Sequence, residues 1–159
     1  MTTAVPAAVV LNLTQFYKLT DGQFCRLGKP AAIPVVPNLT LLNPGQNGNG
    51  KPLIKLTPDS TGIVVLKMNA DIYLYINDST GSACSMSGLA IKGLPGNPDP
   101  SGGANFKVNV WTQAYISLKA LGANVSSTWE LYVVILDGAG NLGVIDPQIE
   151  NDANMNTRV

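Results

Sequence analysis

The residues able to do chemistry in this chain are few, and their spacing excludes most familiar reactions. Histidine is absent from all 159 residues. That removes every Ser-His-Asp and Cys-His arrangement, the His-based metal sites and the usual acid–base group at neutral pH. The two cysteines, Cys25 and Cys84, lack CxxC spacing and have no histidine to complete a zinc set. They can pair as one disulfide in an oxidising compartment; without an export signal, two buried thiols are the favoured reading. A cysteine nucleophile needs a base or a cationic setting, and Lys29 near Cys25 is too commonplace to signal one. No GxGxxG follows a strand, and no Walker loop or GxSxG occurs. The glycine-rich stretch 45–50 lacks the Lys-Ser/Thr ending of a phosphate loop.

Carboxylates remain. Two of them suffice for glycoside hydrolysis, but only Asp71 and Glu130 fall inside strand candidates, each at an outward position. Asp137, Asn141, Asp146, Glu150, Asp152 and Asn154 are hard oxygen ligands of the kind calcium takes. Their spacing misses an EF-hand loop, with Ala139 where a ligand is required and Leu142 where glycine is. Turn formation explains such residues more simply, so the sequence predicts no metal, no cofactor and no catalytic residue. Trp111, Trp129, Tyr73, Tyr75, Tyr115 and Tyr132 could stack against sugar rings, although aromatics in strands more often fill a core or a subunit interface. Four Asn-x-Ser/Thr sequons, at Asn12, Asn38, Asn77 and Asn124, are expected by chance in a chain rich in these residues.

The elements that must position these groups are strands. Apolar residues recur with a period near two, in short runs broken by sixteen glycines and eleven prolines. Strand candidates are 8–13, 23–27, 32–36, 39–42, 53–56, 62–68, 71–76, 83–91, 104–111, 113–118, 128–136 and 141–145. The segment 114–123 has helical leanings, but its β-branched and aromatic residues favour a strand or one short turn. In 106–110 the alternation assigns Phe106, Val108 and Val110 to the core and Lys107 and Asn109 to solvent. The run 128–136 is apolar on both faces after Glu130, as in a central strand or one covered by a neighbouring subunit. Turn residues at 77–81 and 137–141 predict two hairpin loops. The Pro/Gly/Asn stretches 43–52 and 94–103 predict long surface loops, a common location for function on a rigid scaffold. The fold expected is all-β: an antiparallel β-sandwich or jelly-roll-like single domain over 1–145, with a polar tail at 146–159 ordered by a neighbouring subunit.

Composition narrows the function. Hydrophobic residues make up 45% and charged residues 13%, the latter about half the ~25% of soluble domains. A surface so poor in charge suits contact with other protein. Ten basic residues balance ten acidic ones, and Arg26 and Arg158 are the only arginines, so nucleic acid is a poor partner. Residues 18–67 hold six basic and two acidic side chains, whereas 137–159 hold four acids and one arginine; such ends could attract one another in a head-to-tail assembly, although solvated surface charge accounts for them too. No apolar run is long enough to span a membrane. Residues 4–13 lack the basic flank of a signal peptide and are interrupted by Pro6 and Asn12. The leading expectation is a non-enzymatic structural subunit, made in a cytoplasm and carried on a particle: a phage or virus head, decoration or fibre protein. Its partners would be further copies of itself and other capsid proteins. The alternatives are a carbohydrate-binding module or lectin, with a glycan partner, and a secreted filament or pilus subunit assembled by strand addition. In the leading expectation the first strand candidate serves as an arm for a neighbour's sheet. Loss of residues 1–13 or 146–159 should then weaken assembly more than fold.

Overall fold

The computed structural model describes residues 2–19, 34–122 and 127–152. Among these there is no helix, and twelve strands form two sheets. The strands are β1 (Ala7–Leu13), β2 (Tyr17–Lys18), β3 (Asn38–Asn43), β4 (Ile54–Leu56), β5 (Gly62–Val65) and β6 (Ala70–Asp78), followed by β7 (Ser85–Gly93), β8 (Phe106–Trp111), β9 (Tyr115–Ala120), β10 (Thr128–Leu136), β11 (Leu142–Ile145) and β12 (Gln148–Asn151). The first sheet runs β3-β1-β6-β9-β8. The second runs β2-β11-β10-β12-β5-β4, with β7 on the other side of β10. The expected all-β sandwich is present, and its sheets are mixed: β1 pairs parallel to β6 and β12 parallel to β5.

Period two explains the layers. In β1, Ala7, Val9, Leu11 and Leu13 alternate inward and are fully buried. In β6, Ile72 and Leu74 do the same. In β10, Trp129, Leu131, Val133 and Ile135 point inward, while Glu130, Tyr132, Val134 and Leu136 are half-buried on the outer face. The two inner faces meet in one core, where Phe106 packs edge-on against Trp129 at 4.9 Å between ring centres. The Trp129 indole N–H finds its acceptor in the Asp99 carbonyl at 2.9 Å.

The structure departs from the sequence reading at several points. β1 is an interior strand of its sheet, bonded to β3 on one side and β6 on the other; it is no free arm. Of the 106–110 core triplet only Phe106 is buried, whereas Val108 and Val110 are 46% and 43% exposed. A bulge between Val108 and Val110 breaks the alternation, and among the described residues β8 has β9 as its single strand neighbour. The expected hairpin at 77–81 is absent: β6 runs through Asp78, and the loop 79–84 is a crossover, because β6 and β7 lie in different sheets; 137–141 is the hairpin expected. β2 and β12 were not foreseen, and β12 carries the second sheet through Asn151. The strand candidate at 23–27 lies outside the described residues. Of 32–36, residues 34–36 are described, and Val35 makes one bridge to Ile145.

Both long loops are anchored. The Asn47 side-chain oxygen accepts from the Asn49 and Lys51 amides, and Val5 pairs with Gln46. In the other loop Asp99 accepts from the Asn105 side chain at 2.6 Å and the Ala104 amide at 3.2 Å. Asn105 in turn accepts from Asn151 of β12, so a buried amide pair ties this loop to the second sheet.

Candidate functional site

Three surface regions collect the groups with chemical potential. The first is the outer face of the first sheet. Strand register arranges it in rows. Asn38, Asn12 and Asn77 face one another across β3, β1 and β6. Asn77 donates to Asn12, and Asn12 to Thr40. Beyond them Tyr75 faces Tyr115, and Tyr73 faces Ser117. Ring centres of Tyr73, Tyr75 and Tyr115 lie 5.6 to 6.3 Å apart. A charged row closes the face, with Lys119 3.6 Å from Asp71 and Lys107 in register with Lys119. Three of the four sequon asparagines thus fall in one row; Asn124 lies outside the described residues. Of the six aromatics weighed for sugar stacking, three converge here. Trp129 is core, Tyr132 belongs to the other sheet, and Trp111 sits at the edge.

The second region is the edge where the sandwich ends in β7 and β8. Among the described residues each has one strand partner. A bond from Met86 N to Gln113 O ties β7 to the β8–β9 turn. Val108 stands opposite Leu118 and Trp111 opposite Ile116. Those partners are fully buried, so β8 presents core-side residues with no further strand beyond them among the described residues. Trp111 is 54% exposed. On β7, Leu89 and Ile91 pack against the core from the same side and are half-buried. An edge with unpaired main-chain groups and exposed apolar residues is a template for another strand. Lys107 and the bulge restrict how such a strand can register.

The third region is on the outer face of the second sheet. The β10–β11 hairpin pairs Val133 with Ile145, and β12 continues it by pairing Glu130 with Gln148. Asp146, Tyr132 and Glu130 therefore lie along one face. The Tyr132 hydroxyl donates to Glu130 at 2.6 Å, and Lys92 of β7 is in register with Glu130. Asp146 is 7% exposed, and among the described residues its Oδ1 has no hydrogen-bond partner. Burial, then the Glu130 charge, pushes its carboxyl up to about 7, with Lys92 pulling the other way. Burial and the bond to Glu130 likewise raise the Tyr132 phenol. The reading from sequence alone missed this pairing of acids. The turn at 137–141 fixes the hairpin register and would have placed Asp146 opposite Tyr132.

The other acids do not converge. Asp71 and Glu130 lie on the outer faces of opposite sheets and cannot act as a pair. Asp137 and Asp146 flank β11 at its two ends, and Asn154 lies outside the described residues. Among the described residues no group of three or more His, Cys, Asp or Glu side chains could hold a metal. Asp137 instead caps its turn. It accepts from the Asn141 side chain and from the amides of Asn141 and Ala139, which hold its carboxyl below the usual range. The Thr80 hydroxyl does the same for Asp78, and the Thr57 and Thr61 hydroxyls for Asp59. Burial raises the Cys84 thiol, the opposite of an activated nucleophile. Cys25 lies outside the described residues.

Among the described residues no helix is long and apolar enough to cross a membrane. Among the described residues the fold is an all-β sandwich with an apolar edge at β8 and an aromatic face on the first sheet. No protein-family model and no characterised protein matches the sequence.

Proposed function

We propose that the chain is a non-enzymatic structural subunit that associates with further copies of itself and with other particle proteins, as a virion head, decoration or fibre subunit does. The observation that carries this is the β8 edge, where Val108, Val110 and Trp111 are exposed on a strand whose one strand partner among the described residues is β9. Main-chain bonding to an edge strand gives affinity without a side-chain motif, which fits a chain so poor in motifs and in charge. Association is carried by β7 and β8, and no longer by the first strand as the sequence implied. The test is sedimentation of the intact protein beside Val110→Lys and Trp111→Ser. The native chain should sediment as an oligomer, and both variants as monomers with unchanged melting temperature. A monomeric native chain at high concentration sinks the reading.

A second reading rests on the aromatic face. Tyr73, Tyr75 and Tyr115, set between an asparagine row and the Asp71–Lys119 pair, offer stacking and hydrogen-bonding groups of the sort a glycan uses. Retention on an immobilised polysaccharide, lost in Tyr73→Ala with Tyr115→Ala, would favour a carbohydrate-binding module.

A further inference from the structure

Asp146 sits where the chain turns from β11 into β12, and its backbone does a second job. Its amide donates to the Val35 carbonyl at 2.8 Å, next to the Val35–Ile145 bridge. These contacts fasten residues 34–37, a Pro-Val-Val-Pro segment without charge, onto the second sheet just before β3 begins. The carboxyl of the same residue, Asp146, is 7% exposed and shares its face of the sheet with Tyr132 and Glu130. Among the described residues its Oδ1 has no donor, so ionisation would leave that buried oxygen without water and without a replacement.

The charged and titratable neighbours are few among the described residues. On β10, Glu130 raises the cost of a second negative charge and Tyr132 is already committed to Glu130. On β7, Lys92 offsets part of that cost. β2, the other neighbour of β11, carries Lys18 opposite Gly143, nearer Asp137 than Asp146, and Tyr17 opposite Val144. The segment 34–37 contributes no charge of its own.

We propose that Asp146 is a proton-operated latch: protonated, it lets residues 34–37 lie closed on β11, and its ionisation is coupled to their release from the sheet. This is independent of what the protein assembles with. The linkage has a definite sign. In the closed state the carboxyl titrates at about 7; opened to water, it returns to the ordinary carboxylate range near ~4. The closed state binds the extra proton between these limits, so opening grows by up to about tenfold per pH unit from about pH 4 to 7 and levels off above.

Hydrogen exchange of the Asp146 amide, followed by NMR and corrected for intrinsic chemistry, reads that opening directly. Protection should fall across this window and then plateau, and in Asp146→Asn it should be flat. Protection independent of pH in the native chain, or an equal fall in Asp146→Asn, overturns the latch. Should Asp146→Asn fail to fold, the carboxyl carbon of Asp146 in the intact protein is titrated instead. A midpoint near 7 that drops in Glu130→Gln supports the proposal. A midpoint in the ordinary carboxylate range, or one indifferent to Glu130→Gln, refutes it.

Discussion

Removing residues 2–13 should unfold the protein, not merely disperse an assembly. Val9, Leu11 and Leu13 are fully buried, and each contributes on the order of 1.5–3 kcal/mol by leaving water. Together that is roughly 5–9 kcal/mol, comparable with the whole stability of an ordinary domain, about 5–15 kcal/mol. The loss is larger than the side chains alone, because β1 is the strand that joins β3 to β6. Its removal leaves β3 without a sheet and bares the flank of β6. A graded version avoids total collapse. Leu11→Ala should cost about 2–5 kcal/mol through lost burial and the cavity left behind. At about 2–4 °C per kcal/mol for a chain of this size, the melting temperature should drop by roughly 5–20 °C. Far-UV circular dichroism during heating and urea titration measures both. A truncated chain that unfolds cooperatively at the native temperature would refute the reasoning and return β1 to the role of an external arm.

Other outcomes follow from single contacts. Trp129→Phe shrinks a fully buried ring and removes one of two donors to the Asp99 carbonyl, leaving the Gly102 amide; a loss of about 1–3 kcal/mol in urea unfolding is expected. A methyl at Gly143 would overlap the Phe16 ring and approach the Tyr17 carbonyl at 2.5 Å, so Gly143→Ala should detach β2 and speed exchange of the Leu19 amide, which bonds to Leu142. Asp59, Asp78 and Asp137 all have lowered folded values. Their stabilisation is therefore complete above the ordinary carboxylate range and is lost as pH falls through the folded values. Asp137→Ala should melt earlier at neutral pH and show a shallower acid limb than the native chain, as read by thermal melts across an acid series.

The sequence by itself determined the strands and the kind of surface they would present. The short apolar, β-branched and aromatic runs at 8–13, 71–76 and 128–136 are a property of consecutive residues, and each lies in a strand with alternate side chains inward. The asparagine, aspartate and glycine residues of 137–141 set a hairpin for the same local reason. Which strand lies beside which was decided only by tertiary structure, because pairing is a choice among distant partners. β1 lies parallel to β6, and β12 parallel to β5, across long separations that leave no local trace. That choice turned the first strand from a supposed arm into an interior element. It made β12 a strand despite its polar sequence, since its neighbours supply the pairing and the burial. It also left Val108 and Trp111 exposed, because a core-facing pattern buries a side chain only where something lies opposite and β8 is the last strand of its sheet. Asp146 divides between the two levels. Its position opposite Tyr132 follows from the hairpin turn, whereas its burial beside Glu130, and with it the raised carboxyl, exists only once the strands of the second sheet have come together.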